Sequence, residues 1–250
     1  MRHIRKALLT LLTISSLTGC SGNSIKEKTV QLDTGAELLT VINIMKPNAS
    51  DKERVLSLLK EGINKTMIYQ EGYISSSVHT SLNNNYVINY SQWRTMDDLA
   101  AASELVSSGQ TPKMVEAFTK GKADYHPFKL AGQYTSTLNK KVTIDKEGKL
   151  LTIINILTPK DGTTKEELTL LLKNGVADDV LTQPGFISST VLESMNNNTV
   201  INYSQWKDGK SLQAMVARLQ SGNAPKLAKA FSLSTPDYHP FSTASSHFKK

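Results

Sequence analysis

Two stretches of identical sequence carry the side chains of this chain that are best suited to chemistry. The stretch Val87–Trp93 (VINYSQW) recurs unchanged as Val200–Trp206, and the two copies contain both tryptophans of the chain. Side chains alternate along a β-strand, so Asn89 and Trp93 should face the same side, with Ser91 between them. A carboxamide and an indole N–H are neutral hydrogen-bond donors, which suit a developing oxyanion. Packing and turn support are the alternative role for these residue types.

The second stretch repeats this arrangement with Asn202, Ser204 and Trp206. On the neighbouring predicted strand, His79 is the candidate proton acceptor, because imidazole titrates near neutrality. Its counterpart in the second copy is Leu192, so any function of His79 would be confined to the first copy. An exposed strand histidine without a role is the alternative.

Other polar residues give weaker signals. Arg94 and Lys207 follow the two tryptophans and could attract an anionic substrate, although plain surface charge is the alternative. His126 and His239 lie in a repeated Asp-Tyr-His-Pro-Phe segment, which we predict to be a turn leading into a strand. One histidine per copy, without a cysteine or second histidine nearby, is poor ligation, so we predict no metal site. The sequence also shows no glycine-rich phosphate loop, nucleophile elbow or Cys-x-x-Cys motif.

The repeated residues belong to two copies of one predicted domain, at residues 30–135 and 142–250, joined by a linker at residues 136–141. Landmarks recur in the same order in both copies, with one additional residue in the second copy between Pro159 and Gln183. A repeat of this length indicates duplicated domains and not a solenoid. We therefore predict a tandem duplication.

Within the first copy, Leu38–Met45 has the β-branched, apolar pattern of a buried strand. Ser50 followed by Glu53 resembles a capping box at the start of a helix. The next strand, Tyr73–Ser81, should alternate between two faces. The residues predicted for one face are Ile74, Ser76, Val78 and Thr80, and those for the other are Tyr73, Ser75, Ser77 and His79.

A hairpin turn at Asn83–Asn85 leads into the strand that carries Asn89, Thr95 should cap a following helix, and Pro112 should begin another. Each copy thus has the order β-α-β-β-α-(α)-β, which predicts a ferredoxin-like α+β domain with helices on one face of an antiparallel sheet. The second copy should cover the bare sheet face of the first. We predict two sheets packed face to face as an intramolecular pseudo-dimer, with pockets between sheet and helices.

Residues 1–19 have the basic start and short apolar run of a signal peptide, and the run is too short to span a bilayer. The run ends in Leu-Thr-Gly-Cys, which resembles the lipobox of bacterial lipoproteins, in which the cysteine is lipidated. Cys20 is the only cysteine of the chain. An ordinary secretory signal is the alternative. We predict a tether at residues 20–29 and an extracytoplasmic, lipid-anchored protein; Ser21 favours the periplasmic face of the outer membrane in a Gram-negative cell.

The charge pattern argues against nucleic acid as a partner. The chain has 29 Lys and Arg against 22 Asp and Glu, a formal net charge of +7. The surplus is spread along the sequence and forms no basic stripe, which is typical of a solvated surface.

The Gly-Tyr/Phe-Ile-Ser strand, the hairpin and the Asn-Tyr-x-x-Trp strand resemble the antibiotic biosynthesis monooxygenase (ABM) domain, over nearly all of both copies. The resemblance implies the dimeric α+β-barrel fold, which relatives normally build from two chains. It also implies oxygenation of polyphenolic or quinol-type substrates by O2 without metal, flavin or haem, although other members degrade haem or act on small quinones. Donor roles then fall on Asn89 and Trp93, and on Asn202 and Trp206.

The leading prediction is a membrane-anchored, cofactor-independent monooxygenase that acts with O2 on a small aromatic or quinol-type substrate. The alternative is a non-enzymatic lipoprotein that binds a small aromatic ligand or haem. Either way we predict a monomer with an internal pseudo-dimer. Because His79 has no counterpart in the second copy, any reaction is expected in the first copy.

Overall fold

The computed structural model describes residues 30–32, 38–137 and 141–250. The predicted signal peptide at residues 1–19, the lipidation site Cys20 and the tether at residues 20–29 lie outside the described residues. Part of the predicted linker, residues 138–140, lies outside them as well.

Ten strands and six helices make up the regular structure of the described residues. The strands are β1 (Gln31–Leu32), β2 (Leu39–Met45), β3 (Tyr73–Ser81), β4 (Val87–Trp93), β5 (Asp124–Thr135), β6 (Val142–Thr143), β7 (Leu151–Pro159), β8 (Phe186–Ser194), β9 (Val200–Trp206) and β10 (Ser234–Phe248). The helices are α1 (Lys52–Lys65), α2 (Met96–Ser107), α3 (Pro112–Gly121), α4 (Lys165–Gly175), α5 (Gly209–Gln220) and α6 (Pro225–Ser232). Short 3-10 turns at Ala49–Asp51 and Met67–Tyr69 and a π turn at Val176–Val180 complete them.

Eight strands close into one antiparallel barrel in the order β10-β3-β4-β2-β5-β8-β9-β7, while β1 and β6 form a separate two-stranded sheet. The expected α+β class is confirmed, but two stacked sheets are not formed. The difference arises from the long strands β5 and β10. The first part of β5, up to Phe128, pairs with β2, and the rest pairs with β8. In the same way β10 pairs with both β7 and β3, and closure leaves the barrel itself without a free edge strand.

The barrel separates three apolar cores. Its interior holds a cluster that includes Ile42, Ile88, Tyr90, Phe128, Tyr203 and Phe241, all of which are almost fully buried. Two further clusters lie between the outer barrel surface and the helices, one formed with α1 to α3 and one with α4 to α6. The two faces of each strand therefore meet different environments, and both are apolar.

A β-bulge changes the predicted alternation of β3. Tyr73 pairs with Trp93, but Ser75 pairs with Gln92 and Ser76 with Ser91, so Ile74 is the extra residue. An inserted residue shifts the side-chain period by one position. Tyr73 consequently lies on the same face as Ser76, not on the opposite face as predicted.

Local signals were reliable for some helix ends and wrong for others. Thr95 caps α2 by accepting a hydrogen bond from the backbone N–H of Asp98 at 3.1 Å, and Pro112 begins α3, so both predictions are confirmed. The predicted capping box at Ser50 does not form, because a 3-10 turn precedes α1, whose N-terminus is at Lys52 and whose cap has no side-chain hydrogen bond.

Two equivalent lysines locate the one-residue offset between the halves of the chain. Lys52 donates to the carbonyl oxygen of Ser81 at 2.8 Å, and Lys165 donates to that of Ser194 at 2.7 Å. The additional residue therefore lies before Lys165, in the loop that follows Pro159.

None of the helices within residues 30–32, 38–137 and 141–250 combines the length and the apolar character needed to cross a bilayer.

Candidate functional site

Two cavities lie between the outer surface of the barrel and the helices. The first pocket has a volume of about 430 Å³ and is lined by Asn89, Ser91 and Trp93 of β4, together with residues of α1 to α3. The second pocket has a volume of about 320 Å³ and contains Asn202 and Trp206 of β9. As expected, the repeated strand presents the same side chains to a cavity in each half of the chain.

Asn43 is a polar residue of the first pocket that sequence reasoning missed. It lies on β2 directly opposite Asn89 of β4, and the two side chains are only 4% and 5% exposed. Neither carboxamide oxygen has a hydrogen-bond partner among the described residues. We call such a group an open carboxamide. An asparagine that recurs, as Asn155, inside an otherwise apolar strand was the sequence signal for this role.

The indole N–H groups are not free donors, contrary to expectation. Trp93 Nε1–H donates to Ser91 Oγ at 3.2 Å, and Trp206 Nε1–H donates to Ser204 Oγ at the same distance. The donor and acceptor are two residues apart on one strand face, so the bond forms locally. The tryptophans therefore contribute aromatic walls, while Asn43 and Asn89 are the carboxamides that line the first pocket.

Tyr73 forms the inner wall of the first pocket. Its ring packs edge to face against Trp93, with centroids 5.3 Å apart and an interplanar angle of 84°. Its hydroxyl donates to Ser76 Oγ at 2.7 Å. Burial raises the pKa of Tyr73, and the hydrogen bond to Ser76 only partly opposes this effect, so the phenol stays neutral.

Two further polar residues line the first pocket, Tyr125 of β5 and Ser103 of α2. Tyr125 is 39% exposed. Partial burial raises the pKa of Tyr125, and a hydrogen bond with Ser103 opposes that shift. Both phenols of this pocket, at Tyr73 and Tyr125, therefore enter as neutral groups near pH 7.

The second pocket has an equivalent pair of asparagines, but their hydrogen bonds differ. Asn155 and Asn202 lie opposite each other, and Asn155 is an open carboxamide with respect to the described residues. Ser189 Oγ donates to Asn202 Oδ1 at 2.5 Å, so Asn202 is occupied. Phe186 stands where the first pocket has Tyr73 and packs against Trp206 at 5.4 Å.

Two substitutions on the covering helix also separate the pockets. Met215 and Val216 of α5 line the second pocket where the first has Ala102 and Ser103 of α2. Larger, apolar side chains reduce the volume and remove a hydroxyl. The first pocket is therefore both wider and more polar than the second.

His79 lies inside the barrel and not in the first pocket. It pairs across β4 with Ile88, which faces the interior, whereas its neighbour Val78 pairs with Asn89. The ring is fully buried, 5.5 Å from the ring of Tyr203, and burial lowers the pKa of His79 to about 3. The structure thus does not bring His79 together with Asn89 and Trp93, and the alternative of an exposed histidine is also wrong.

Arg94 and two further strand histidines, His126 and His239, serve other contacts. Arg94 pairs with Glu71 and Asp98, each at 3.0 Å. His126 and His239 lie within β5 and β10, so the predicted turn is instead part of a strand. Three or more metal-binding side chains do not cluster anywhere in the part of the chain that the structure describes.

Solved structures of monooxygenase-like proteins share this barrel fold. An anthrone oxidase-like protein superposes with a TM-score of 0.70 at 21% identity, covering 85% of this chain and 93% of that chain. A candidate monooxygenase from Fusobacterium nucleatum superposes with a TM-score of 0.57 at 12% identity, covering 86% of this chain and 95% of that chain. Another from Lactobacillus acidophilus has a TM-score of 0.52 at 9% identity, covering 86% of this chain and 100% of that chain. No family model matches the sequence, and no curated protein matches it.

Proposed function

We propose that this protein is a cofactor-independent monooxygenase of the ABM family that oxidises a small aromatic or quinol-type substrate with O2 in the first pocket. The observation that carries the proposal is the pair of buried asparagines, Asn43 and Asn89, because their carboxamide N–H groups can donate to a substrate oxygen. Both residues line a cavity of about 430 Å³ whose walls include Trp93 and Tyr73. Solved structures with this fold include an anthrone oxidase-like protein, which supports the same class of reaction.

The reaction needs no external reductant. In the proposed step on an anthrone, a CH2 group flanked by aromatic rings becomes a carbonyl: two C–H bonds break, one oxygen atom of O2 enters the product, and the other leaves as water with the two hydrogens. On a hydroquinone, one oxygen atom of O2 enters the ring and the product is a hydroxyquinone, with one water released. The substrate supplies all four electrons. An electron-rich anion can pass the first electron to O2, which a neutral closed-shell molecule does slowly.

The pocket supports the anion by hydrogen bonding and desolvation. Carboxamide N–H groups of Asn43 and Asn89 stabilise negative charge that develops on a substrate oxygen, and each is fixed on a strand before the reaction begins. Among the described residues that line the pocket, none is a carboxylate, histidine, lysine or arginine. The substrate must therefore be acidic enough to lose its proton to water, which restricts the class to hydroquinones, anthrones and similar compounds.

The test follows O2 consumption by purified protein, from about residue 25 onward, with a panel of hydroquinones and anthrones. We expect turnover that falls at least tenfold in the Asn89→Ala plus Asn202→Ala double variant, in line with the loss of an oxyanion donor. Asn48→Ala is the matched control, because Asn48 is exposed and lines neither pocket. The proposal is wrong if wild-type turnover does not exceed buffer, or if the double variant retains full activity.

The second candidate function is ligand binding without turnover. It is favoured by the second pocket, where Ser189 already occupies Asn202. Saturable quenching of tryptophan fluorescence without O2 uptake would support this alternative. An aromatic ligand suits it better than haem, because the described residues lining the two pockets include neither histidine nor cysteine.

We also propose that the chain is a tandem duplication, with domains at residues 30–135 and 142–250, that builds as an intramolecular pseudo-dimer the barrel that relatives build from two chains. The matching lysine contacts and the identical strands β4 and β9 support it. The expected solution state is a monomer, and light scattering coupled to size-exclusion chromatography tests it. A dimeric mass would contradict this part of the proposal.

The membrane anchor is a further part of the proposal. The lipobox-like end of residues 1–19 supports cleavage before Cys20 and lipidation of that cysteine, on a protein exported from the cytoplasm. Metabolic labelling with palmitate followed by mass analysis of the N-terminal peptide tests it, with Cys20→Ser as the control. Equal labelling of the wild type and Cys20→Ser would contradict the anchor.

A further inference from the structure

Two equivalent serines have different hydrogen-bond partners in the two pockets. Ser76 and Ser189 occupy the same position on β3 and β8, each opposite the serine of the repeated strand. Ser76 Oγ accepts the hydroxyl of Tyr73 at 2.7 Å, whereas Ser189 Oγ donates to Asn202 at 2.5 Å. Asn89, which corresponds to Asn202, receives no such bond from the described residues.

The difference has a single chemical cause at one position. Tyr73 in the first pocket is replaced by Phe186 in the second, and the two rings otherwise pack alike, edge to face on a tryptophan at 5.3 and 5.4 Å. The Tyr73 hydroxyl holds Ser76. In the second pocket, where that hydroxyl is missing, Ser189 Oγ donates to the carboxamide oxygen of Asn202 instead.

We infer that Tyr73 is a positioning residue that, by holding Ser76, leaves the Asn89 carboxamide free to turn toward substrate, and that Phe186 lets Ser189 fix the carboxamide of Asn202. The inference rests on the proposed function and deepens it, because it assigns the reaction to the first pocket. It also names the substrate feature that is read there, a hydroxyl group that donates to the Asn89 oxygen once the carboxamide turns toward the cavity. In the second pocket such a hydroxyl must displace Ser189, so ligands without hydroxyl groups are favoured.

This mechanism makes a specific prediction about two variants. In Tyr73→Phe, Ser76 should turn to Asn89 as Ser189 turns to Asn202, and substrate should lose one hydrogen bond. Adding Ser76→Ala removes the competing hydroxyl and should restore the open carboxamide. If Tyr73 acted only through packing, adding Ser76→Ala would not restore ligand binding to Tyr73→Phe. Phe186 shows that a ring without the hydroxyl packs well against the tryptophan.

Binding is measured first, with a ligand that cannot turn over. The probe is 2,6-dihydroxyanthraquinone, and anthraquinone, which lacks hydroxyl groups, is its control. All variants are made in a Trp206→Phe background, so that quenching reports on Trp93 in the first pocket alone. We expect Tyr73→Phe to lower the affinity for the dihydroxy ligand about threefold to tenfold, which is the range of one neutral hydrogen bond. The affinity for anthraquinone should stay unchanged.

The mirror experiment uses the second pocket. Phe186→Tyr in a Trp93→Phe background should tighten binding of the dihydroxy ligand there, because the new hydroxyl would hold Ser189 and release Asn202. Tyr69→Phe is the matched control for loss of a tyrosine hydroxyl, because Tyr69 is 56% exposed and lies outside both pockets.

Turnover and structure separate this inference from the proposed oxygenase. If wild type consumes O2 but Tyr73→Phe has the same KM and kcat, the positioning role is overturned and the oxygenase stands. If O2 is never consumed but binding follows the predicted pattern with rescue, the oxygenase fails and the positioning role stands. If neither ligand binds, the crystal structure of Tyr73→Phe decides: a Ser76–Asn89 hydrogen bond supports the inference, and its absence overturns it.

Discussion

Asn43 and Asn89 lie directly opposite each other on β2 and β4, and both present a buried carboxamide to the first pocket. Leaving two such groups without partners among the described residues is costly, because a buried polar group that makes no hydrogen bond lowers the free energy of unfolding by about 1–3 kcal/mol. Under the proposed function, a bound ligand would offset this cost. The pair thus links the stability of the fold to its proposed activity.

Removing this pair should stabilise the protein while it abolishes function. Replacing Asn43 by leucine, which has a similar volume, should raise the free energy of unfolding by about 1 kcal/mol and reduce turnover at least tenfold. Urea unfolding and O2 uptake measure the two effects. The exposed Asn48→Leu serves as the control and should change neither quantity. A less stable Asn43→Leu protein with normal turnover would contradict the assignment.

His79 should control acid stability and not catalysis. Burial holds its pKa at about 3, below the value of about 6.5 in the unfolded chain, so below pH 6.5 the unfolded state binds a proton that the folded state does not. The contribution of His79 to the free energy of unfolding is therefore fully present above pH 6.5 and falls by about 1.4 kcal/mol per pH unit down to pH 3. His79→Leu, which introduces the residue found at Leu192, should remove this part of the acid dependence.

The measurement compares urea unfolding of wild type and His79→Leu at pH 7 and pH 4.5. His247 keeps its own acid dependence in both proteins, because burial and the charge of Lys60 lower its pKa to about 4. We expect the variant to lose less stability on acidification and to retain wild-type O2 uptake at pH 7. An equal loss in the two proteins, or a large fall in turnover, would contradict this account.

Pocket size should set substrate size. Met215 in the second pocket replaces Ala102 of the first, so Ala102→Met should narrow the first pocket toward 320 Å³. We expect KM to rise at least tenfold for three-ring anthrones and much less for one-ring hydroquinones. Ala101→Met, one residue away on the exposed face of α2, is the matched control. Equal effects on large and small substrates would contradict the assignment of the first pocket.

His239 and His126 each make contacts between the two halves of the chain. His239 of β10 contacts Asp237 at 2.6 Å and Asn83 of the first hairpin at 3.1 Å, while its ring packs on Tyr86 with centroids 4.6 Å apart. His126 of β5 makes only the polar part of this arrangement, with Asp124 at 2.8 Å and Asn196 at 2.9 Å.

His239→Ala should therefore destabilise the protein more than His126→Ala does. We expect losses of about 2 kcal/mol and about 1 kcal/mol in the free energy of unfolding, since only the first removes a ring contact in addition to hydrogen bonds. Thermal and urea unfolding measure the difference, and ligand affinity in the first pocket should stay unchanged. The reverse order of stabilities would contradict this interpretation.

The local pattern of the sequence was sufficient for the elements and for part of the site. Side-chain alternation on an unbroken strand placed Asn89, Ser91 and Trp93 on one face, and cap chemistry located the start of α2 at Thr95. These features depend on residues close together in the chain, so they are readable from spacing and residue type.

Tertiary structure decided which face meets which environment. Both faces of β3 and β4 are buried in apolar surroundings, one inside the barrel and one beneath the helices, so hydrophobicity could not show that His79 points inward. The bulge at Ile74 moved Tyr73 into the first pocket, and closure through β5 and β10 joined strands that are distant in the sequence. Pairing at that range and the choice between competing hydrogen-bond partners, as at Ser76, depend on the assembled barrel.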